Sequence, residues 1–189
     1  MNEVIFKPRT GEEMQNAVIL SNGGKIPILL YSDLCTAFKE YGALKTIKQL
    51  YRLYGEKILI LLQNPEKMNS GHWMSLTILP RERKIYFFSS YGGKPDEEKN
   101  KWLSYSEREK SGQVENVLND GLKELHMLGW DIHFNDYPYQ LDGDNTATCG
   151  LWTAAFLNMN MDPDEFCELV LRHHITPYDI YSSFFQKRE

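Results

Sequence analysis

The chain has 189 residues, 42% of them hydrophobic, and a formal net charge of −5. This length suits one globular domain and is sufficient to bury a core, whereas the negative balance argues against a dominant basic face for nucleic acid. No apolar run reaches the roughly 18 residues that a membrane span needs, and residues 1–9 lack the order of a signal peptide. We therefore expect a soluble, intracellular protein with neither a membrane partner nor a nucleic-acid site.

The first part of the chain predicts an edge strand followed by helices. Residues 25–31 can form a short strand, and Pro27 argues against a central one because proline cannot donate a backbone hydrogen bond. Ser32 is a suitable N-cap, and apolar residues then recur at helical intervals until Gly55. Gly42 can divide this stretch into two helices.

The middle of the chain predicts three successive strands, of which the last two form a hairpin. These segments are short, apolar and rich in β-branched or aromatic residues, and turn-forming segments separate them. They span residues 57–62, 72–79 and 84–90.

The remainder predicts mostly helices. The sequence predicts partial helix over residues 95–105, an amphipathic helix over 111–128, a strand over 131–139, an acidic loop over 141–145, a helix from Thr146, and helix over 163–185 with a break at Thr176-Pro177. Helices thus flank adjacent strands instead of alternating with them. This order favours an α+β fold with a central, mostly antiparallel sheet.

The three cysteines, Cys35, Cys149 and Cys167, are an odd number and have no C-x-x-C spacing. The histidines form no ligand pattern with them, so neither a disulfide framework nor a zinc site is expected. Cys35 and Cys167 lie on apolar faces of predicted helices, where a free cysteine packs as a small buried residue. We predict reduced thiols, no metal and no cofactor.

Cys149 precedes Gly150 in a turn that starts an apolar helix. A helix N-terminus carries partial positive charge and unpaired N–H groups, both of which stabilise a thiolate. Gly150 would let a substrate backbone come close. Taken alone, a free cysteine at this position is more often a small buried residue than a nucleophile.

His72 and Gln140 supply two further groups that cysteine catalysis requires. His72 opens an apolar strand and can act as a base if a partner orients its ring. Gln140 can donate hydrogen bonds to a developing oxyanion, a contact typically worth about 3 kcal/mol. The alternatives are a partly exposed histidine and a surface glutamine.

Four segments in order carry a family resemblance: Gly-His-Trp at residues 71–73, Phe-Phe-Ser-Ser-Tyr-Gly-Gly at 87–93, Tyr-Gln at 139–140, and Thr-Ala-Thr-Cys-Gly-Leu-Trp at 146–152. This set resembles the adenain-like cysteine proteases and their relatives that remove SUMO. It is closest in motif style to adenain-like proteases of large DNA viruses and virus-like transposons.

The resemblance implies a papain-like protease core within one domain over residues 1–189, with the catalytic core at about 58–156. It makes Cys149 the nucleophile, His72 the base and Gln140 an oxyanion-hole donor. Trp73 would pack beside the catalytic pair, and Trp73 and Gly150 would contact the substrate.

Ser89 departs from the family pattern, which has Asp, Asn or Glu at this point. A serine can hydrogen-bond an imidazole but cannot stabilise imidazolium by charge. We nevertheless place Ser89 at the third catalytic position, where its neutral hydroxyl would orient His72. The alternative is that Ser89 only ends a strand and that another carboxylate, such as Asp96 or Asp136, orients the ring. The nine-residue step from Gln140 to Cys149 also exceeds the family's usual spacing.

The expected function is a cysteine endopeptidase that works through a thioester, as a viral-type maturation protease acting on precursor proteins in host cytoplasm, nucleus or virion. The first alternative is an isopeptidase that removes SUMO or another ubiquitin-like modifier. The second is a catalytically decayed module that binds peptides, which Ser89 favours. The sequence leaves open whether an activating peptide is needed.

Overall fold

Five strands form the single sheet of the computed structural model, which describes residues 6–63, 71–140 and 147–186. In spatial and chain order they are β1 (Ile28–Leu30), β2 (Lys57–Gln63), β3 (Gly71–Leu79), β4 (Lys84–Ser89) and β5 (Asp131–Phe134). The central strands β2, β3 and β4 pair antiparallel, and the edge strands β1 and β5 pair parallel to their neighbours. The predicted hairpin is therefore confirmed.

Helices cover both faces of this sheet. They are α1 (Gly11–Ala17), α2 (Tyr31–Tyr41), α3 (Ala43–Tyr54), α4 (Glu97–Trp102), α5 (Tyr105–Lys110), α6 (Val117–Met127), α7 (Cys149–Met159), α8 (Pro163–His173) and α9 (Pro177–Ile180), followed by a π-helical turn at Tyr181–Phe185. The predicted α+β class, a central sheet flanked by helices, is confirmed. Within the described residues, no helix is long and apolar enough to cross a membrane.

The alternation of side chains along β2 divides the core into two layers. Ile58 and Ile60 pack with α2, α3 and α6 on one face, whereas Leu59 packs with α1, α7 and α8 on the other. Successive strand residues point to opposite faces, so an apolar run such as residues 57–62 can serve both layers. The layer that includes α7 contains Cys149. Helix α2, in the other layer, contacts the start of α4 through the hydrogen bond from Tyr31 to Asp96.

Several predicted boundaries need correction. Gly42 does separate α2 from α3, at a φ of 77° that favours glycine, but α2 begins at Tyr31 with Leu30 as its cap, not at Ser32. The strand predicted over residues 131–139 ends at Phe134, and the next residue, Asn135, contacts the end of β4 through its side chain. The predicted acidic loop at 141–145 lies outside the described residues.

Two helical predictions differ from the structure. The helix predicted from Ser111 begins only at Val117, since Ser111 instead caps the C-terminus of α5. Helix α1 was not predicted, although Thr10 and Glu13 form a capping box that is legible in the sequence.

Candidate active site

His72 lies fully buried at the start of β3, and its Nε2 atom contacts two oxygen atoms. Nε2 is 2.9 Å from Oγ of Ser89 and 2.8 Å from Oε2 of Glu98. Ser89 therefore touches His72, but the carboxylate beside the ring belongs to Glu98 of α4.

Ser89 links the imidazole to that carboxylate. Its hydroxyl donates to Oε1 of Glu98 and lies within hydrogen-bond distance of Nε2 of His72. The backbone of Ser89 is held on both sides by Asn135, whose Oδ1 accepts from the Ser89 N–H at 3.0 Å and whose Nδ2 donates to the Ser89 carbonyl at 2.6 Å. The serine thus supplements the charged partner of His72 and does not replace it.

Cys149 is the first residue of α7, so the helix predicted from Thr146 begins at Cys149 and places this cysteine at its N-terminus. Thr148 is the N-cap residue but makes no side-chain cap, so the first N–H groups of the helix have no partner from that side chain. Every residue of α7 from Cys149 to Leu157 is buried. The hydroxyl of Thr153 donates to the carbonyl of Trp73 at 3.1 Å, which ties the helix to β3 beside His72.

Cys149 and His72 shift each other's pKa in the directions of an ion pair. Burial alone would lower the pKa of His72, but the charge of Glu98 and the hydrogen bonds with Cys149 and Glu98 raise it to about 10. Burial alone would raise the pKa of the Cys149 thiol, but the hydrogen bond and charge of His72 lower it, with help from the backbone of Trp73 and Gly150. Both shifts are in the direction that favours a thiolate facing an imidazolium.

Two aromatic rings cover the imidazole. The ring of Tyr91 lies 4.9 Å from that of His72, and the ring of Trp102 lies 5.2 Å from it, centroid to centroid. The two rings also contact each other at 5.2 Å. They exclude water from His72, and aromatic faces attract a cation such as imidazolium.

Gln140 is buried and is held beside the end of β4. Its N–H donates to the carbonyl of Ser90 at 3.0 Å, and its Oε1 accepts from the Ser90 hydroxyl at 3.4 Å. The neighbouring turns also pack closely, since a Cβ on Gly92 would lie 2.8 Å from the carbonyl oxygen of Asp136. These contacts hold Gln140 next to Ser90, the residue that follows Ser89, and its side-chain amide oxygen is directed at the Ser90 hydroxyl.

Trp73 and Cys149 line a cleft of about 550 Å³. One wall is the segment of residues 8–11, and the other is formed by the ends of β2 and β3. The indole of Trp73 is nearly buried and donates to the carbonyl of Arg9 at 2.9 Å. Trp73 therefore lines the cleft and also holds the segment of residues 8–11 in place. A larger depression of about 830 Å³ against α3 contains neither cysteine nor histidine.

Gly150 packs against the N-terminal segment of the chain. A Cβ at this site would lie 2.8 Å from Cγ of Arg9 and 3.0 Å from Sδ of Met14. The side of α7 at Gly150 is therefore filled by the protein's own N-terminal segment. Its small size serves packing on this side of the helix, and the substrate contact at Gly150 stays a prediction.

Gly150→Ala should lower the free energy of unfolding by about 1 to 3 kcal/mol, because the added methyl group overpacks a filled interior. Chemical denaturation would measure this, with Gly24→Ala as the control in an exposed loop. A variant that keeps full stability but binds substrate more weakly would instead support a substrate contact at Gly150.

The two alternative carboxylates lie elsewhere. Asp96 is buried but bonds Tyr31 and Lys99, and Asp136 is exposed. Glu98 was not predicted from the sequence; it follows Ser89 by nine positions and returns to the site through α4. The available signal was three consecutive acids, 96–98, at the start of a segment predicted to be partly helical.

The other two cysteines lie apart from this site. Cys35 is buried in the core layer of α2, α3 and α6, and Cys167 is partly buried on α8. In the parts of the chain that the structure describes, no group of three or more His, Cys, Asp or Glu residues could hold a metal ion.

Comparison with known proteins identified one sequence relative and several structures of similar fold. The chain is 32% identical over 148 residues to uncharacterized protein V9 of Sputnik virophage, covering 77% of this chain and 75% of that protein. No family model matches the chain.

Similar solved structures include the ASFV pS273R protease, with a TM-score of 0.40, 13% identity and coverage of 97% of this chain and 72% of that one. The C-terminal Ulp1 protease domain in complex with Smt3, the yeast ortholog of SUMO, gives a TM-score of 0.35, 14% identity and coverage of 98% and 78%. The central domain of the uncharacterized protein Lpg1148 from Legionella pneumophila gives a TM-score of 0.37 and 15% identity, with coverage of 85% of this chain and 78% of that one.

Proposed function

The chain belongs to the family of protein V9 of Sputnik virophage, and we propose that it is a cysteine endopeptidase that hydrolyses peptide bonds through a thioester. One observation carries this proposal: the Cys149 thiol at a helix N-terminus interacts with a buried His72 whose Nε2 atom contacts the carboxylate of Glu98. Nucleophile, base and orienting acid thus form one connected set. We propose that residues 1–189 act as a single protease domain with a papain-like core.

In the proposed reaction, the Cys149 thiolate attacks the carbonyl carbon of the scissile peptide. The carbonyl oxygen becomes an oxyanion, which the Cys149 N–H and the amide NH₂ of Gln140 stabilise. His72 gives its Nδ1 proton to the leaving amine as the C–N bond breaks, which leaves a thioester on Cys149.

Deacylation runs through the same groups. His72, now neutral, takes a proton from water through Nδ1, and the resulting hydroxide adds to the thioester carbon. The second tetrahedral intermediate expels the thiolate and releases the product acid, and His72 is again imidazolium. Throughout, Glu98 holds the ring by Nε2 and stabilises its positive charge.

The cleft beside Cys149 supports an extended polypeptide as substrate. It is walled by Trp73 and residues 8–11 and opens onto the nucleophile, and its lining also includes small residues such as Gly71 and Ala147. We propose the cleavage of precursor proteins, in keeping with a relative encoded by a virophage. Removal of a ubiquitin-like modifier is the alternative substrate choice.

Glu98 also bears on the second alternative, the decayed peptide-binding module. Ser89 favoured it because a hydroxyl cannot stabilise imidazolium by charge. Glu98 provides that charge at 2.8 Å from Nε2, so the feature that favoured inactivity no longer does so.

Labelling by a peptide vinyl sulfone tests whether Cys149 is the nucleophile. We expect one label per chain at Cys149 near neutral pH, and loss of labelling in His72→Ala because the thiolate loses its partner. A label found at Cys35 or Cys167, or unchanged labelling of Cys149 in His72→Ala, would argue against the proposed pair.

Gln140→Ala should lower kcat by roughly 10² to 10³-fold with a smaller effect on KM, because an oxyanion donor acts mainly in the transition state. Steady-state kinetics on a cleaved peptide would measure it, with Gln113→Ala, a buried glutamine outside the site, as the control. A loss confined to KM would move Gln140 from the oxyanion hole to substrate binding.

A further inference from the structure

Asp96 is a buried carboxylate immediately before α4, and three helices supply its partners. Its Oδ1 accepts from the Tyr31 hydroxyl of α2 at 2.5 Å and lies 3.2 Å from Nζ of Lys99 of α4. Its Oδ2 accepts from the N–H of Asn119 of α6 at 2.8 Å. Asp96 also has a φ of 72°, which is uncommon for a residue with a side chain. So many specific contacts fix the start of α4 in one position.

Lys99 fixes the rotation of α4 as well. Its side chain is completely buried, and Nζ donates to the carbonyl of Glu115 at 2.6 Å in addition to contacting Asp96. A buried ion pair is weak evidence for stability, since apolar residues of similar size often stabilise as well. Its geometry is nonetheless specific, because both charges need their partners in place.

The rotation of α4 decides which side chains meet His72. Glu98 and Trp102 are separated by four positions, so they lie on the same face of the helix. Both contact His72, Glu98 by its carboxylate at 2.8 Å and Trp102 by its ring at 5.2 Å. Lys99 is one position further around and enters the interior. A helix of six residues is too short to persist on its own hydrogen bonds, so tertiary contacts must hold it.

We propose that Tyr31, Asp96 and Lys99, here termed the α4 anchor, are positioning residues that hold Glu98 and Trp102 against His72. This inference rests on the proposed function, because it assigns the anchor a role in the same reaction. Weakening the anchor lets Glu98 withdraw from Nε2. The imidazolium is then stabilised less, and the thiolate of Cys149 loses part of its counter-charge.

Among the described residues, few titratable groups lie beside His72 and Asp96, so the pH dependence of Cys149 ionisation can be interpreted directly. The titratable groups beside His72 are Glu98 and Cys149, with the phenol of Tyr91 on the covering side. The titratable groups beside Asp96 are those of Lys99, Tyr31 and Cys35. Burial, with the charge of Asp96, raises the pKa of Cys35 to about 12 and that of Tyr31 well above its ordinary value. Both stay neutral over the range of the assay.

The test is the pH dependence of Cys149 alkylation by iodoacetamide, followed by peptide mass spectrometry and needing no substrate. Tyr31→Phe removes one hydroxyl and keeps the ring in the core. We expect the apparent pKa of Cys149 to rise by about one unit, which corresponds to about tenfold slower alkylation on the acid side. Tyr51→Phe is the matched control, a half-buried tyrosine of the same core layer, and should match the parent. Asp96→Asn gives a second reading if Tyr31→Phe does not fold.

The results separate this inference from the proposed function. If Glu98→Gln shifts the alkylation profile and folded Tyr31→Phe and Asp96→Asn do not, the anchor role is refuted while the His72–Cys149 pair stands. If Cys149 of the parent protein alkylates with an ordinary thiol profile, both fail. A general loss of alkylation with an unchanged apparent pKa would mark the anchor as merely structural, and would also refute the inference.

Discussion

Cys149→Ala should abolish peptide hydrolysis while the protein stays folded. Loss of a nucleophile costs on the order of 10⁶ in kcat where the remaining groups act only with it. The substitution removes one buried sulfur at the start of α7 and leaves that helix packed on β3, so circular dichroism and the thermal midpoint should change little. The rate at which the purified protein hydrolyses a peptide substrate of the parent chain would measure the loss.

Cys167→Ala is the matched control, because this residue is also a free cysteine but lies on α8 away from His72. It should keep the parent rate and change only stability. Cleavage by Cys149→Ala at the parent rate would remove the basis for the whole mechanism.

Glu98→Gln should lower kcat/KM by roughly 10² to 10⁴-fold, the range expected when an oriented base loses its charged partner. Glutamine keeps the shape but not the charge that helps to raise the pKa of His72 to about 10. His72 then loses its proton at lower pH, and Cys149 ionises at higher pH. The pH–rate profile should therefore narrow from both sides.

Two variants serve as controls for that result. Glu97→Gln changes an exposed carboxylate on the same helix and should be silent. Ser89→Ala removes a hydroxyl that bridges His72 and Glu98 and should cost less than Glu98→Gln, because the carboxylate still contacts Nε2 directly. An unchanged profile in Glu98→Gln, together with a large loss in Ser89→Ala, would return the orienting role to Ser89.

Local patterns in the sequence account for the parts of the fold that could be predicted. Apolar segments with turns between them gave β2, β3 and β4, and Gly42 marked the end of α2 because its φ is positive. The position of Cys149 at a helix start follows from a turn followed by an apolar run. His72 at a strand start is equally local.

Tertiary packing determines what the sequence could not show. Glu97 and Glu98 are adjacent and chemically identical, yet only Glu98 is buried, because the α4 anchor fixes the rotation of the helix. Gly150 beside a candidate nucleophile suggested access for substrate. Its actual neighbour is Arg9, which reaches it from a segment distant in sequence. Neither relation is encoded in a short motif.

The most direct test of the central claim is the appearance of new peptide N-termini when the purified protein is incubated with a proteome-derived peptide library. We expect the parent chain to produce new N-termini at a defined set of sequences, and Cys149→Ala to produce none. Each product should arise by peptide hydrolysis, without added metal or cofactor. The same new N-termini from both proteins, or none from the parent chain, would contradict a cysteine endopeptidase built on Cys149 and His72.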